Sequence, residues 1–144
     1  MFTNQGTQRV HFKEEEMKKL IIVLLMVVLT VGLALAKDYE VKKKAGDFDV
    51  EVRIDKNPPV VGDNNILVEV KESGKVVTDA KVVIDYSMPA MPGMPAMNYK
   101  TDADLKGSVY KGTMNLSMSG PWNIAVKISK AGKTSTAKFS IDAR

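Results

Sequence analysis

From residue 47 onward, apolar and polar positions alternate with a period of two. Phe48, Val50, Val52 and Ile54 interleave with Asp47, Asp49, Glu51 and Arg53, the pattern of a strand with one buried face. Asn57-Pro58-Pro59 breaks the pattern. Extended structure returns over 66–70, turns at Ser73-Gly74, and resumes at Val76-Val77. Residues 81–86 predict another strand, with Val82, Ile84 and Tyr86 on one face. Alternation recurs over 108–117, over 122–129 (Trp122, Ile124, Val126 and Ile128 on one face) and over 134–141. No segment after residue 36 carries a 3.6-residue period. Residues 37–46, KDYEVKKKAG, read as a charged, flexible lead-in. About seven short strands in about 100 residues predict an all-β protein, an immunoglobulin-like antiparallel β-sandwich over 47–144. Its expected core is Phe48, Val52, Val68, Val82, Ile84, Trp122, Val126 and Phe139.

The first 36 residues follow different rules. Met17 is followed by Lys18 and Lys19, then by an uncharged apolar run over 20–36 that ends in Ala34-Leu35-Ala36. A positive start, an apolar middle and a small-x-small end make residues 17–36 a secretory signal-peptide helix. The expected destination is periplasmic or extracytoplasmic. If uncleaved, the run would instead serve as a membrane anchor, since its length is at the short edge of a bilayer span. Residues 1–16 precede a complete signal with its own Met and read as a mis-called leader. Three consecutive glutamates, 14–16, sit badly ahead of a positive signal start.

Composition then narrows the chemistry. The chain has no Cys, one His and nine Met, with a formal net charge of +4. Absent Cys excludes disulfides, thiolate metal sites and a Cys nucleophile. The one histidine, His11, lies in the leader. The basic excess is small and interspersed with acids, so nucleic acid is not an expected partner. No Ser sits in a nucleophile elbow and no glycine-rich phosphate loop is present, so no enzymatic activity is expected. Six methionines follow residue 36: Met88, Met91, Met94, Met97, Met114 and Met118.

Four of the six fall in residues 88–97, Met-Pro-Ala-Met-Pro-Gly-Met-Pro-Ala-Met, at strict intervals of three. In a polyproline II helix their sulfurs would be spaced by about 9 Å per repeat, too far apart for neighbours to share an ion. Pro92-Gly93 has the signature of a type II turn, which would fold the segment back and bring the sulfurs together. Thioether is a soft, neutral ligand suited to Cu(I) and poor for zinc, magnesium or calcium. It has no proton to lose, and it forms no disulfide in an oxidising compartment. The same apolar loop could equally dock a protein, because methionine surfaces are adaptable. Met114 and Leu116 are expected in the core. Met118 is expected at the rim, where its strand ends before Ser119-Gly120-Pro121. Tyr86 and Tyr99 would wall the segment, and Trp122 is expected as a core aromatic beside it.

Gly62-Asp63-Asn64-Asn65, Asp79-Ala80-Lys81-Val82, the 88–97 stretch, Gly107-Ser108-Val109-Tyr110 and Met118-Ser119-Gly120-Pro121-Trp122 together resemble the YtkA-like domain family. That family is related in pattern to FixH-like proteins. The resemblance covers 47–142 and implies an exported immunoglobulin-like sandwich linked to copper handling, heavy-metal efflux or cytochrome oxidase assembly. It carries over Met88, Met91, Met94 and Met97 as the metal-facing segment, with Met118 and Trp122 as a second motif. The expectation is a Cu(I) chaperone, buffer or resistance factor with ligands Met88, Met91, Met94, Met97 and Met118, walled by Tyr86, Tyr99 and Trp122. Its partner would be a copper-receiving envelope protein of an efflux system or of cytochrome oxidase assembly. The alternative is a sandwich that docks to an envelope complex through the same loop and holds no metal.

Overall fold

A computed structural model describes residues 18–19 and 37–144. The leader and the apolar run of the signal peptide lie outside the described residues. Nine strands are present among the described residues: β1 (Tyr39–Ala45), β2 (Phe48–Ile54), β3 (Gly62–Glu72), β4 (Lys75–Val76), β5 (Lys81–Met88), β6 (Met97–Lys106), β7 (Val109–Leu116), β8 (Gly120–Lys130) and β9 (Lys133–Ala143). Every pairing is antiparallel. The strand order is β1-β2-β3-β7-β6-β5-β8-β9, with β4 added to β3.

The chain forms a β-sandwich. One layer is β1-β2-β3-β7 and the other is β5-β8-β9, with β6 running between them. Its residues 97–103 pair with β5, and its residues 104–106 pair with β7. At that corner the backbones come close. A Cβ added at Gly112 would lie 3.2 Å from the Asp102 carbonyl oxygen and 3.3 Å from Ile84 Cδ1. At the opposite side Tyr39 stacks on Phe139, with ring centroids 6.5 Å apart. The Tyr39 hydroxyl donates to the Ser140 carbonyl at 3.4 Å. β1 thereby meets β9, and the sheet is nearly closed.

The eight expected core residues are all buried, joined by Val50, Ile54, Ile66, Ile124, Ile128 and others from the inward face of each strand. Met114 and Leu116 are fully buried, as expected. Two elements differ from expectation. Residues 39–45 are a strand in full register with β2, not a flexible lead-in. The lysines there, 42–44, are exposed and mask an edge strand whose Tyr39 and Val41 pack on the core. Residues 97–106 also form a strand. The segment is mostly polar because it lies at the margin between the layers, and Ala103 is its one buried side chain.

Asn64 is the one buried polar side chain among the described residues. Its amide donates to the carbonyls of Val60 (2.7 Å) and Gly62 (2.9 Å), and its oxygen accepts from the Val60 N–H (3.0 Å). That fixes the approach to β3. The same loop holds the end of the chain, with the Val61 N–H donating to the Arg144 carbonyl and the Arg144 N–H donating to the Pro59 carbonyl.

Candidate functional site: a paired-methionine hairpin

The 88–97 segment is the connection of the β5–β6 hairpin. Met88 ends β5 and Met97 begins β6, and the two are direct cross-strand partners. Met91 and Met94 form a second rung, exchanging two backbone hydrogen bonds of 3.1 and 2.9 Å. Pro92 and Gly93 make the turn between them, with Gly93 at φ +81°, the value a type II turn demands of its third residue. Proline supplies the preset φ at the second position, and glycine accepts the left-handed third without strain. The period of three in sequence thus becomes two facing pairs rather than an edge of equally spaced sulfurs. Side chains directly opposite each other in an antiparallel pair have Cβ atoms about 4.5–5.5 Å apart.

The two rungs differ in exposure. Met88 is buried, Met91 and Met97 are half-buried, and Met94 at the tip is exposed. Met88 and Met97 both contact the 117–120 segment that links β7 to β8. The Met88 methyl lies 3.4 Å from where a Cβ on Gly120 would stand, so the buried Met88 side chain packs against the start of β8. The Met97 sulfur accepts hydrogen bonds from the Ser117 hydroxyl at 3.6 Å and the Tyr99 hydroxyl at 3.7 Å. Met118, half-buried, belongs to the same segment, and its carbonyl accepts the Trp122 indole N–H at 3.0 Å. That bond explains the spacing of the Met-Ser-Gly-Pro-Trp motif, in which the tryptophan at the start of β8 pins the loop carrying Met118.

Three aromatic rings stand next to the base rung. Tyr86 and Tyr99 are cross-strand partners with centroids 5.5 Å apart. Trp122 lies 6.0 Å from Tyr86 and 6.1 Å from Tyr99. These are ordinary separations for favourable ring pairs. Trp122 is fully buried and Tyr99 is exposed, so the trio runs from the core to the surface beside Met97. The Tyr86 hydroxyl accepts the Asn115 N–H at 3.3 Å and so links the two layers at this end. Ser117 is the residue that sequence reasoning missed. Its adjacency to Met118 was the available signal.

Charge is arranged elsewhere. On the outer face of the β1-β2-β3-β7 layer, the Arg53 guanidinium hydrogen-bonds Glu51 and holds its carboxyl below the usual range, with Lys42 assisting. The outer face of β6-β5-β8-β9 is a shallow recess of about 1000 Å³. Within it Lys127 pairs with Asp85, and the Ser140 hydroxyl donates to Asn123 at 3.0 Å. Among the described residues no group of three or more His, Cys, Asp or Glu could hold a metal ion. Thioethers are the soft donors this chain offers.

The YtkA-like family model matches residues 42–127. The chain belongs to the YtkA-like family. No curated protein matches it. Among solved structures, this YtkA-like chain is similar to a DUF4426 family protein from Pseudomonas aeruginosa PAO1, at 18% identity and a TM-score of 0.48. The match covers 72% of this chain and 96% of that one.

Proposed function

We propose that this YtkA-like protein is an exported Cu(I)-binding protein, acting as a chaperone, buffer or resistance and oxidase-assembly factor. The observation that carries the reading is the pairing of Met88 with Met97 and Met91 with Met94 across one hairpin. Cross-strand pairing sets the Cβ atoms of each pair about 4.5–5.5 Å apart, close enough for two flexible thioethers to reach one soft ion, and Met118 is carried by the loop that contacts Met97. Two or three neutral sulfurs favour Cu(I) over harder ions. They would hold it loosely enough to pass on by ligand exchange to a copper-receiving envelope protein. No catalytic step is assigned to the chain. The signal-peptide pattern over 17–36 supports export to the periplasm or cell surface. We further read the sandwich as immunoglobulin-like. The supporting feature is strand order: β2-β3-β7-β6 and β5-β8-β9 follow the A-B-E-D and C-F-G succession of that fold.

The test is calorimetric titration of the purified protein with Ag(I), a redox-stable surrogate for Cu(I). A variant with leucine at Met88, Met91, Met94 and Met97 conserves volume and folds, and it is expected to lose the binding heat. Equal heats from the two proteins would overturn the reading. The exposed Met94 tip keeps a second reading in play, a metal-free docking module. In that case the leucine variant keeps its envelope partner in a pull-down, and a charged residue at 94 loses it.

A further inference from the structure

The sulfur of Met97 is already engaged. The Tyr99 hydroxyl donates to it at 3.7 Å and the Ser117 hydroxyl at 3.6 Å. A thioether has no hydrogen to donate and acts only as a weak acceptor, and its sulfur has two lone pairs. Two hydroxyl donors therefore compete for the lone pairs with which the sulfur would bind a soft cation. We propose that Tyr99 and Ser117 form a hydroxyl latch on Met97 that sets the affinity of the thioether site. The inference rests on the Cu(I) reading above. Loading requires at least one O–H···S bond to be released. Unloading is assisted when the hydroxyl returns to the sulfur as the ion leaves.

The latch is built from both sides of the site. Tyr99 lies two residues beyond Met97 on the same face of β6, and its ring is held by Tyr86 and Trp122 at 5.5 and 6.1 Å. The hydroxyl is thereby aimed at the sulfur by packing. Ser117 immediately follows β7 and reaches Met97 from the other layer. Both donors are solvent-exposed residues, so a released hydroxyl is rehydrated and loading costs only the modest net worth of its bond to sulfur. This separates the two hydroxyls from the rings that wall the site. Removing a wall residue loosens a metal site, whereas removing a competing donor tightens it.

The experiment uses the full chain with methyl-labelled methionine and Ag(I) in chloride-free buffer. Tyr99→Phe keeps the ring and removes only the hydroxyl, and Ser117→Ala does the same for the serine. Each is expected to bind Ag(I) about 2- to 10-fold more tightly than the unaltered chain, the size expected for removing one modest hydrogen bond. The double variant binds more tightly still. The Met97 methyl resonance, identified by its absence in Met97→Leu, is expected to move in both variants before any metal is added. Unchanged or weaker Ag(I) binding by the double variant overturns the latch and leaves the metal reading standing. An unaltered chain in which Ag(I) shifts no methionine methyl overturns the metal reading itself.

Discussion

Asn64 makes three hydrogen bonds inside the protein, and all three go to the backbone of the turn before β3. Truncation would leave the half-buried Val60 N–H and carbonyl without their partner, at about 1–3 kcal/mol per group. Asn64→Ala is therefore expected to lower unfolding stability by about 2–4 kcal/mol, read as a drop in the urea midpoint with an unchanged slope. A loss below about 0.5 kcal/mol, the scale of ordinary surface changes, would contradict the structural role given to this residue. The sequence marks Asn64 only as part of a polar run, Gly62-Asp63-Asn64-Asn65, and nothing in that run separates the buried amide from its exposed neighbours. Met88 shows the same limit. Its place in the repeat is evident, but only the fold makes it a core residue under the glycine at 120, while Met94 six positions on is exposed.

At the scale of elements, the hairpin depends on a single backbone conformation. Gly93 sits at φ +81° with open space where a Cβ would be, so Gly93→Ala would be strained by backbone conformation alone, by about 1–2 kcal/mol. The strain falls on the tip rung. The Met91 and Met94 amides, which now bond each other, are expected to exchange with solvent roughly tenfold faster, the factor that 1.4 kcal/mol gives. The thermal midpoint should fall by no more than a few degrees, because opening of the tip relieves the strain locally. Protection of those two amides equal to that of the unaltered chain would show that the turn does not hold the rung. The turn itself is legible in the sequence, because Pro-Gly has few other uses. The strands flanking the repeat are less so. β5 is written in clear alternation, whereas β6 carries Asn98, Lys100, Asp102 and Asp104 and gains its place from pairing with β5 and then β7.

The sandwich is closed at two places, one local in sequence and one distant. β6 turns the corner between the layers, and β1 meets β9 through Tyr39 and Phe139. Tyr39→Ala removes a ring pair worth about 0.5–1.5 kcal/mol beyond its buried area. It is expected to cost about 1–3 kcal/mol in chemical denaturation and to raise amide exchange along β1. Tyr39→Phe keeps the stack and should stay within about 0.5 kcal/mol of the unaltered protein. Equal losses from the two variants would assign the closure to the hydroxyl instead. Alternation by itself determined the all-β class, the eight core residues and most strands, because a buried face must be apolar at every second position. Composition determined that thioether is the soft donor available. The tertiary structure alone decided that the charged segment at 39–45 is a strand, that Met88 is buried while Met94 is exposed, and that Tyr99 and Ser117 meet at one sulfur. Those outcomes depend on which segments pair, Tyr39–Ala45 with β2, Met88 with Met97 and Ser117 with the Met97 sulfur across 20 positions, and alternation within one segment does not encode its partner.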